Sequence, residues 1–483
     1  MNQKFLLTAK RLEPTLSLKT VVVDLHDRKL EQGEPFIIDF GNHYTGYFSL
    51  KLCYKGQPLD APVLLRIKFA ESREEANENT DDYHGWVSKS WIQEEWVHVD
   101  SLPINLKLKR RYAFRFVSVT LSAASGRLDL RLREARVIAS TSATKDVKPV
   151  GKDDRERAID RIALRTLSEC MQKEFEDGPK RERRLWLGDL RLQALTNYWT
   201  FQNNDLVKRC LYLFAGTANK KGKVEACVFT NPKIYVDGTY LYDYSLFFVS
   251  ALKDYYQYTH DLATVKELLP TAKRQIELAK EQFSGDVIVD SDVVGWCFLD
   301  WNLALNKQCG AQAIYLYALR DLIELLSVVQ EDPSKYQEDL VAKTKAARKA
   351  FYDENKGLFV SGEGRQVSYA SNVWMILAGV VSPEEAKAIL ERLEMEKAEK
   401  IVTPYMYHHY IEALIVAGKK EQARKVLDDY WGGMVDAGAD TFYELYNPEN
   451  PSESPYGGKA VLSYCHAWSC TPSYLYRKYF AEE

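Results

Sequence analysis

The eight cysteines of this chain form no CxxC pair and no framework of regular spacings, and no Cys/His cluster has the separation zinc requires. A disulfide-stapled scaffold and a structural metal are therefore not expected. The pattern predicts reduced, mostly buried thiols in a cytoplasmic protein. Long apolar runs are also missing. MNQKFLLTAKRLEPTL offers three apolar residues in a row before charge returns, short of the roughly 7–15 that a secretory leader uses. No segment approaches the roughly 18 that cross a membrane, so no membrane partner is expected. An excess of one charge is lacking too: 65 Lys plus Arg stand against 68 Asp plus Glu, a net charge of −3. Nothing in that balance calls for nucleic acid.

What remains is 46% hydrophobic and 28% charged, ordinary for a soluble globular chain long enough for two or three domains. Less ordinary are the 30 Tyr, 19 Phe and 10 Trp. Aromatic faces stack on sugar C–H faces, but they also fill large cores, and composition alone favours the core.

Two regions differ in period. Phe36–Leu52 and Pro62–Glu71 are β-branched and aromatic stretches set off by Gly, Asn and Pro; YAFRFVSVTLSA and LDLRLREARVIAS alternate apolar and polar residues up to Ser140. Several short strands at this spacing predict an antiparallel β-sandwich over residues 1–145. Thr141–Asp154 is a polar linker with Pro and Gly. From about Arg155 the spacing becomes helical: Ile314, Ala318, Leu322 and Leu325 share one helix face. Ser382-Pro383-Glu384-Glu385 is a capping box, and Gly418 and Gly432 are placed to end helices. About twelve such runs suit a mostly α (α/α)6 barrel of six hairpins over 146–483. A solenoid would give the same number, but no repeat of fixed length is visible. Chemistry is expected on four long connections: Asp177–Asp189, Asn231–Asp243, Asp286–Lys307 and Ala437–Gly458.

The densest of these is DGPKRERRLWLGD, with three acids, three arginines, a lysine and a tryptophan. Gly178-Pro179 breaks the preceding helix. Taken alone, the segment reads equally well as an ion-pair cluster at a helix start. Its pattern, Asp177, Pro179, Arg181, Glu182, Arg183, Trp186, Gly188 and Asp189, resembles the signature of α-L-rhamnosidases, glycoside hydrolase family 78. The resemblance implies that Glu182 is the general acid, that Asp177, Asp189 and Trp186 contact the bound sugar, and that Arg181 and Arg183 orient those carboxylates. A second likeness runs through Gly438, Ala439, Thr441, Phe442 and Glu444, then Ser463, His466, Ala467 and Trp468. It implies that Glu444 is the general base, with His466 and Trp468 beside the sugar. GWCFLDWN resembles the family's Gly-Asp-Trp segment with Leu299 in place of glycine; Asp300 and Trp301 are secondary candidates for sugar contact, set against a buried tryptophan beside a helix cap. Tyr235, Asp237, Tyr242 and Asp243 match too loosely to carry a role.

Together these imply an inverting hydrolase of terminal α-L-rhamnosides, acting on a small oligosaccharide or glycoside without cofactor or metal. The carboxyls should stand about 6.5–9.5 Å apart, with room for water between them. Two alternatives stand beside this: a sugar-binding relative without catalysis, and an (α/α)6 glycosidase for another sugar. The chain ends eleven residues after Pro472, where the family usually continues into a C-terminal β-domain, which predicts a differently walled pocket.

Overall fold

In the computed structural model, which describes residues 1–181, 183–291, 296–450 and 453–481, the change of period becomes a change of architecture. Strands β1 (Ser17–Lys29), β2 (Pro35–Gly56), β3 (Val63–Ala70), β4 (Glu94–Val99), β5 (Ile104–Ala123) and β6 (Leu128–Thr141) form one antiparallel sheet. Their order is β1-β6-β2-β5-β3-β4. This differs from a sandwich of two separate sheets, and the reason lies in β2. Phe40 and Phe48 have ring centroids 6.3 Å apart, whereas eight residues of straight strand span ~26 Å. The β2–β5 register breaks between Asp39 and Tyr44, with Gly41 at φ 77°. A bulge at that break bends the strand, so one sheet turns over and packs Phe40, Phe48, Phe69 and Phe114 into a common core.

The helices are α1 (Gln3–Arg11), α2 (Arg73–Asn77), α3 (Asp154–Cys170), α4 (Leu187–Trp199), α5 (Asn204–Thr217), α6 (Tyr242–Thr259) and α7 (Leu262–Ala279). They continue with α8 (Gln308–Val329), α9 (Ser334–Phe351), α10 (Tyr369–Leu377), α11 (Pro383–Met395), α12 (Pro404–Val416), α13 (Lys420–Asp436) and α14 (Pro472–Tyr479). Among the described residues, twelve of them follow Asp153. Contacts run from α4 to α6, α8, α10 and α12 in turn, then through the short turn Ala467–Cys470 back to α4. Ile314, Ala318, Leu322 and Leu325 of α8 are all buried, and the capping box at Ser382 forms, with Glu385 answering the cap. No helix among the described residues is long and apolar enough to cross a membrane.

Two sequence expectations are corrected. Gly418 does end α12, at φ 72°, but Gly432 lies inside α13. A Cβ there would meet the Arg155 guanidinium at 2.4 Å, so that glycine makes room for the arginine, which pairs with Asp436 at 2.8 Å. Gln3–Arg11, placed with the sheet domain, instead forms a helix on the helical body. α1 packs on α5, the Asn2 N–H donates to the Gly216 carbonyl at 2.7 Å, and Arg209 donates to the Ala9 carbonyl.

A second clasp joins the first helix of the body to α13. Arg424 grips Glu156 through two nitrogens at 2.6 and 2.7 Å. Although burial works the other way, this pair and the Lys152 N–H hold the Glu156 carboxyl at about 2, against an ordinary 4.5. A depressed carboxyl stabilises the fold fully above the unfolded value, and loses that contribution as pH falls through the folded one. The difference in Tm between the parent and Glu156→Gln is therefore expected to be full above about pH 5 and to close as pH falls toward 2. Thermal melts of both proteins across that range test it.

Candidate active site

All four long connections converge on one cavity of about 950 Å³. The first begins where α3 ends. The Asp177 N–H donates to the Arg184 carbonyl at 2.9 Å and the Asp177 carbonyl accepts from the Ala467 N–H at 2.7 Å, so the turn is tied to both neighbours. Gly178 permits the second tie: a Cβ there would lie 3.0 Å from Ser463 Oγ and 3.1 Å from the Cys465 carbonyl. Asp189 sits in the first turn of α4, where the N–H groups and the helix dipole favour a carboxylate. Gly188 lets α4 approach Tyr244, whose ring atoms would come within 2.4 Å of a Cβ.

Glu444 is 2% exposed and held from several sides. Arg181 Nη2 lies 3.4 and 3.3 Å from its two oxygens, and the Tyr456 hydroxyl donates to Oε1. The Ser463 N–H donates to Oε2 at 3.3 Å, and the Trp468 indole N–H to the Glu444 carbonyl at 3.0 Å. The Arg181, Tyr456 and Ser463 donors fix the orientation of the carboxyl group. His466 Nδ1 lies 3.6 Å from Asp189 Oδ1, and its ring is 4.2 Å from that of Trp468. Asp177, Arg181, Trp186, Asp189, Asp300, Trp301, Glu444, His466 and Trp468 thus all line one wall system. Glu182 lies outside the described residues.

Arg181 and Arg183, expected to orient the aspartates, also reach other groups. Arg181 is turned to Glu444 and lies 4.1 Å over the Tyr456 ring. Arg183, at φ 55°, points away to the Pro179 and Arg111 carbonyls, at 2.9 and 2.5 Å. Asp300 belongs to the wall but spends its oxygens on the fold. It accepts from Trp301 N, Val402 N, Thr403 N and Thr403 Oγ1, anchoring the start of α12. Burial nevertheless pushes its pKa up to about 6. Asp243 plays the same part for the preceding residues, accepting from Phe298 N and Leu299 N at 3.0 Å each, and burial raises it too. Leu299 is at φ 54°, the left-handed region that accounts for glycine at this position. Its side chain is fully buried against the space left by Gly310. Tyr235 and Asp237 stay outside the cavity lining, with Tyr235 stacked on Phe229 at 4.4 Å.

Sequence reasoning missed the contribution of the sheet domain. Trp86, Val87, Ser88 and Trp91, from the β3–β4 connection, line the same cavity as Glu444. Two tryptophans in a short polar segment, DDYHGWVSKSW, were the signal. Tyr456 was missed as well, because hydrogen bonding to a glutamate leaves no mark in local spacing. No group of three or more His, Cys, Asp or Glu among the described residues could hold a metal ion.

Comparison with known proteins agrees with this geometry. Residues 12–139 match the glycosyl hydrolase family 78 alpha-rhamnosidase N-terminal domain. Residues 152–479 match the bacterial alpha-L-rhamnosidase 6 hairpin glycosidase domain. A search of curated proteins found no match. Among solved structures, a rhamnosidase from Klebsiella oxytoca with rhamnose bound is 44% identical, with TM-score 0.95 and 99% of each chain covered. The family 78 rhamnosidase of Bacillus sp. GL1 shares the fold at 22% identity and TM-score 0.79, over 93% of this chain and 47% of its own. Streptomyces avermitilis alpha-L-rhamnosidase complexed with L-rhamnose shares it at 14% identity and TM-score 0.71, over 96% and 44%. The chain belongs to glycoside hydrolase family 78, the α-L-rhamnosidases.

Proposed function

We propose that this protein hydrolyses terminal α-L-rhamnosides with inversion at the anomeric carbon. Glu444 takes a proton from water as that water attacks the anomeric carbon. The bond to the leaving oxygen breaks on the opposite face, and Glu182 gives that oxygen its proton. Asp177, Asp189, His466 and Trp186 hold the sugar between them. No cofactor takes part, and the catalytic half is an (α/α)6 barrel, a reading supported by the circuit of contacts that returns to α4. A cytoplasmic setting goes with it, supported by eight cysteines that are all buried.

The observation that carries the proposal is the placement of Glu444. It is a buried carboxylate oriented by Arg181, Tyr456 and Ser463, on a cavity that also bears Asp177, Asp189 and His466. A water molecule activated there has a fixed base and a fixed direction of attack.

The test is the stereochemistry of the product. When an aryl α-L-rhamnoside is followed by NMR, the β anomer of L-rhamnose should accumulate first and then mutarotate. First formation of the α anomer would contradict inversion. Tight binding of L-rhamnose with no hydrolysis of any aryl glycoside in a panel would make the protein a binder, and preference for a different sugar would reassign the substrate.

A further inference from the structure

The sheet domain reaches the cavity through a lobe that is both pinned and exposed. Residues between α2 and β4 cross to the helical body and dock on the segment after Glu444. The Tyr83 hydroxyl donates to the Tyr456 carbonyl at 3.2 Å, and the Trp86 indole N–H to the Pro455 carbonyl at 2.8 Å. Gly85 fits because it lacks a Cβ, which would lie 2.0 Å from the Tyr456 carbonyl. Val87 and Ile92 share a small core with Leu445, Tyr456 and Leu462. So fixed, Trp86 remains 72% exposed at the cavity, with its ring 5.7 Å from that of Tyr456. Leu303, on the same lining, is 93% exposed. Large apolar side chains held rigidly at the mouth of a binding cavity are surfaces for a ligand.

The polar groups beside them are already engaged. Ser88 Oγ is shared with Ser90, and Asn302 is spent on Glu399, the Lys400 carbonyl and the Ala304 N–H. Lys307 donates to the Cys297 carbonyl at 2.5 Å. A second sugar ring at this rim would find aromatic faces but few uncommitted hydrogen-bonding partners, whereas a flat apolar group needs only the faces. The cavity, at about 950 Å³, matches the upper range of ~300–1,000 Å³ that takes a drug-sized ligand, and so has room for more than one deoxy sugar.

We infer that the N-terminal sheet domain builds the leaving-group subsite, with Trp86 as a stacking platform that selects a planar, apolar aglycone. This rests on the function proposed above, with the rhamnose ring at the carboxylates and the aglycone toward Trp86.

The test uses ligands that are not turned over, so that it does not depend on catalysis. Binding of a naphthyl thio-α-L-rhamnoside, a methyl thio-α-L-rhamnoside and free L-rhamnose is measured by calorimetry on the parent, Trp86→Ala and Trp86→Phe. The naphthyl compound should bind the parent better than the methyl compound. Trp86→Ala should weaken the naphthyl compound about tenfold and leave the methyl compound and L-rhamnose within about twofold, while Trp86→Phe recovers most of the loss. An equal loss for all three ligands would make Trp86 a support of the loop and overturn the proposal. So would an unchanged naphthyl affinity, or a rhamnosyl disaccharide thioglycoside showing the larger dependence on Trp86. If the aglycone effect is found but no glycoside is hydrolysed, the catalytic assignment fails and the subsite stands.

Discussion

Replacing Glu444 by glutamine should lower kcat on an aryl α-L-rhamnoside by about 10²–10⁴. Glutamine keeps the shape; with its amide oxygen accepting from the Ser463 N–H, its NH2 can donate to the Tyr456 hydroxyl oxygen, so the wall around it should hold. What is lost is the group that takes the proton from water, together with the charge that partners Arg181 across 3.3 Å. Azide separates these losses, since it attacks without giving up a proton. Added azide should restore turnover in Glu444→Gln and yield the β-azide. Glu182→Gln should lower turnover by a comparable factor for ordinary leaving groups, but far less for an acidic dinitrophenol, which leaves without being protonated. Parental rates in both variants would remove both assignments. Loss of rate with a matching fall in Tm and no rescue would make Glu444 a structural residue.

The second large effect is on the fold itself. Lys180, between the motif's proline and Arg181, is fully enclosed and joins the two halves of the molecule. It lies 3.2 Å from Glu71 and 2.9 Å from Glu75, both of the sheet domain, and 2.5 Å from the Leu462 carbonyl. Burial opposes charge on Lys180, but the two glutamates outweigh it and raise its pKa. Burial lifts Glu75 to about 7 even with the lysine present. Against the same burial, Lys180 and His43 hold Glu71 below its ordinary value.

Removing one partner of a buried ion pair is worth about 3–5 kcal/mol, so Lys180→Met should lower the free energy of unfolding by about that amount in urea titrations. Glu71 keeps His43 at 3.2 Å, which places most of the loss on Glu75. The sign of the pH dependence follows. Without the lysine, Glu75 has a folded pKa still further above its unfolded 4.5, so the variant loses stability as pH rises from there. Parent and variant share that loss up to about pH 7, where Glu75 ionises in the parent, so the gap between them should stay nearly level from pH 5 to about 7 and widen above it, and adding Glu75→Gln should narrow it. A gap independent of pH and unmoved by Glu75→Gln would show that Lys180 acts by packing alone.

How much of this could be read in advance depended on the reach of each interaction. The strand-to-helix change near Asp154, the capping box at Ser382 and the buried stripe of α8 are set by neighbours within a few residues, and periodicity exposed them. Glu444 and Asp189 were legible because dense motifs carry them. The turn of β2 at Gly41 was not, because a bulge depends on the partner strand's register. Gly432 misled for a similar reason: a glycine that accommodates Arg155 looks, in one dimension, like one that ends a helix. The hold of Arg181 on Glu444 was not legible because the two lie 263 positions apart. Trp86 of the sheet domain was not legible because the carbonyl it docks on, that of Pro455, lies 369 positions away.

The position of α1 bears on how this chain comes off the ribosome. The helix is made before the partner that holds it: Arg209, which donates to Ala9, appears 200 positions later, after the whole sheet domain has been made. Closing so distant a contact is slow compared with local folding, and domains assemble in the order of synthesis. The sheet domain is therefore complete while its leading segment still waits for α5. A segment made ahead of the sheet domain is thus expected to find its place after it, fastening the two halves together from outside once the helical body has formed.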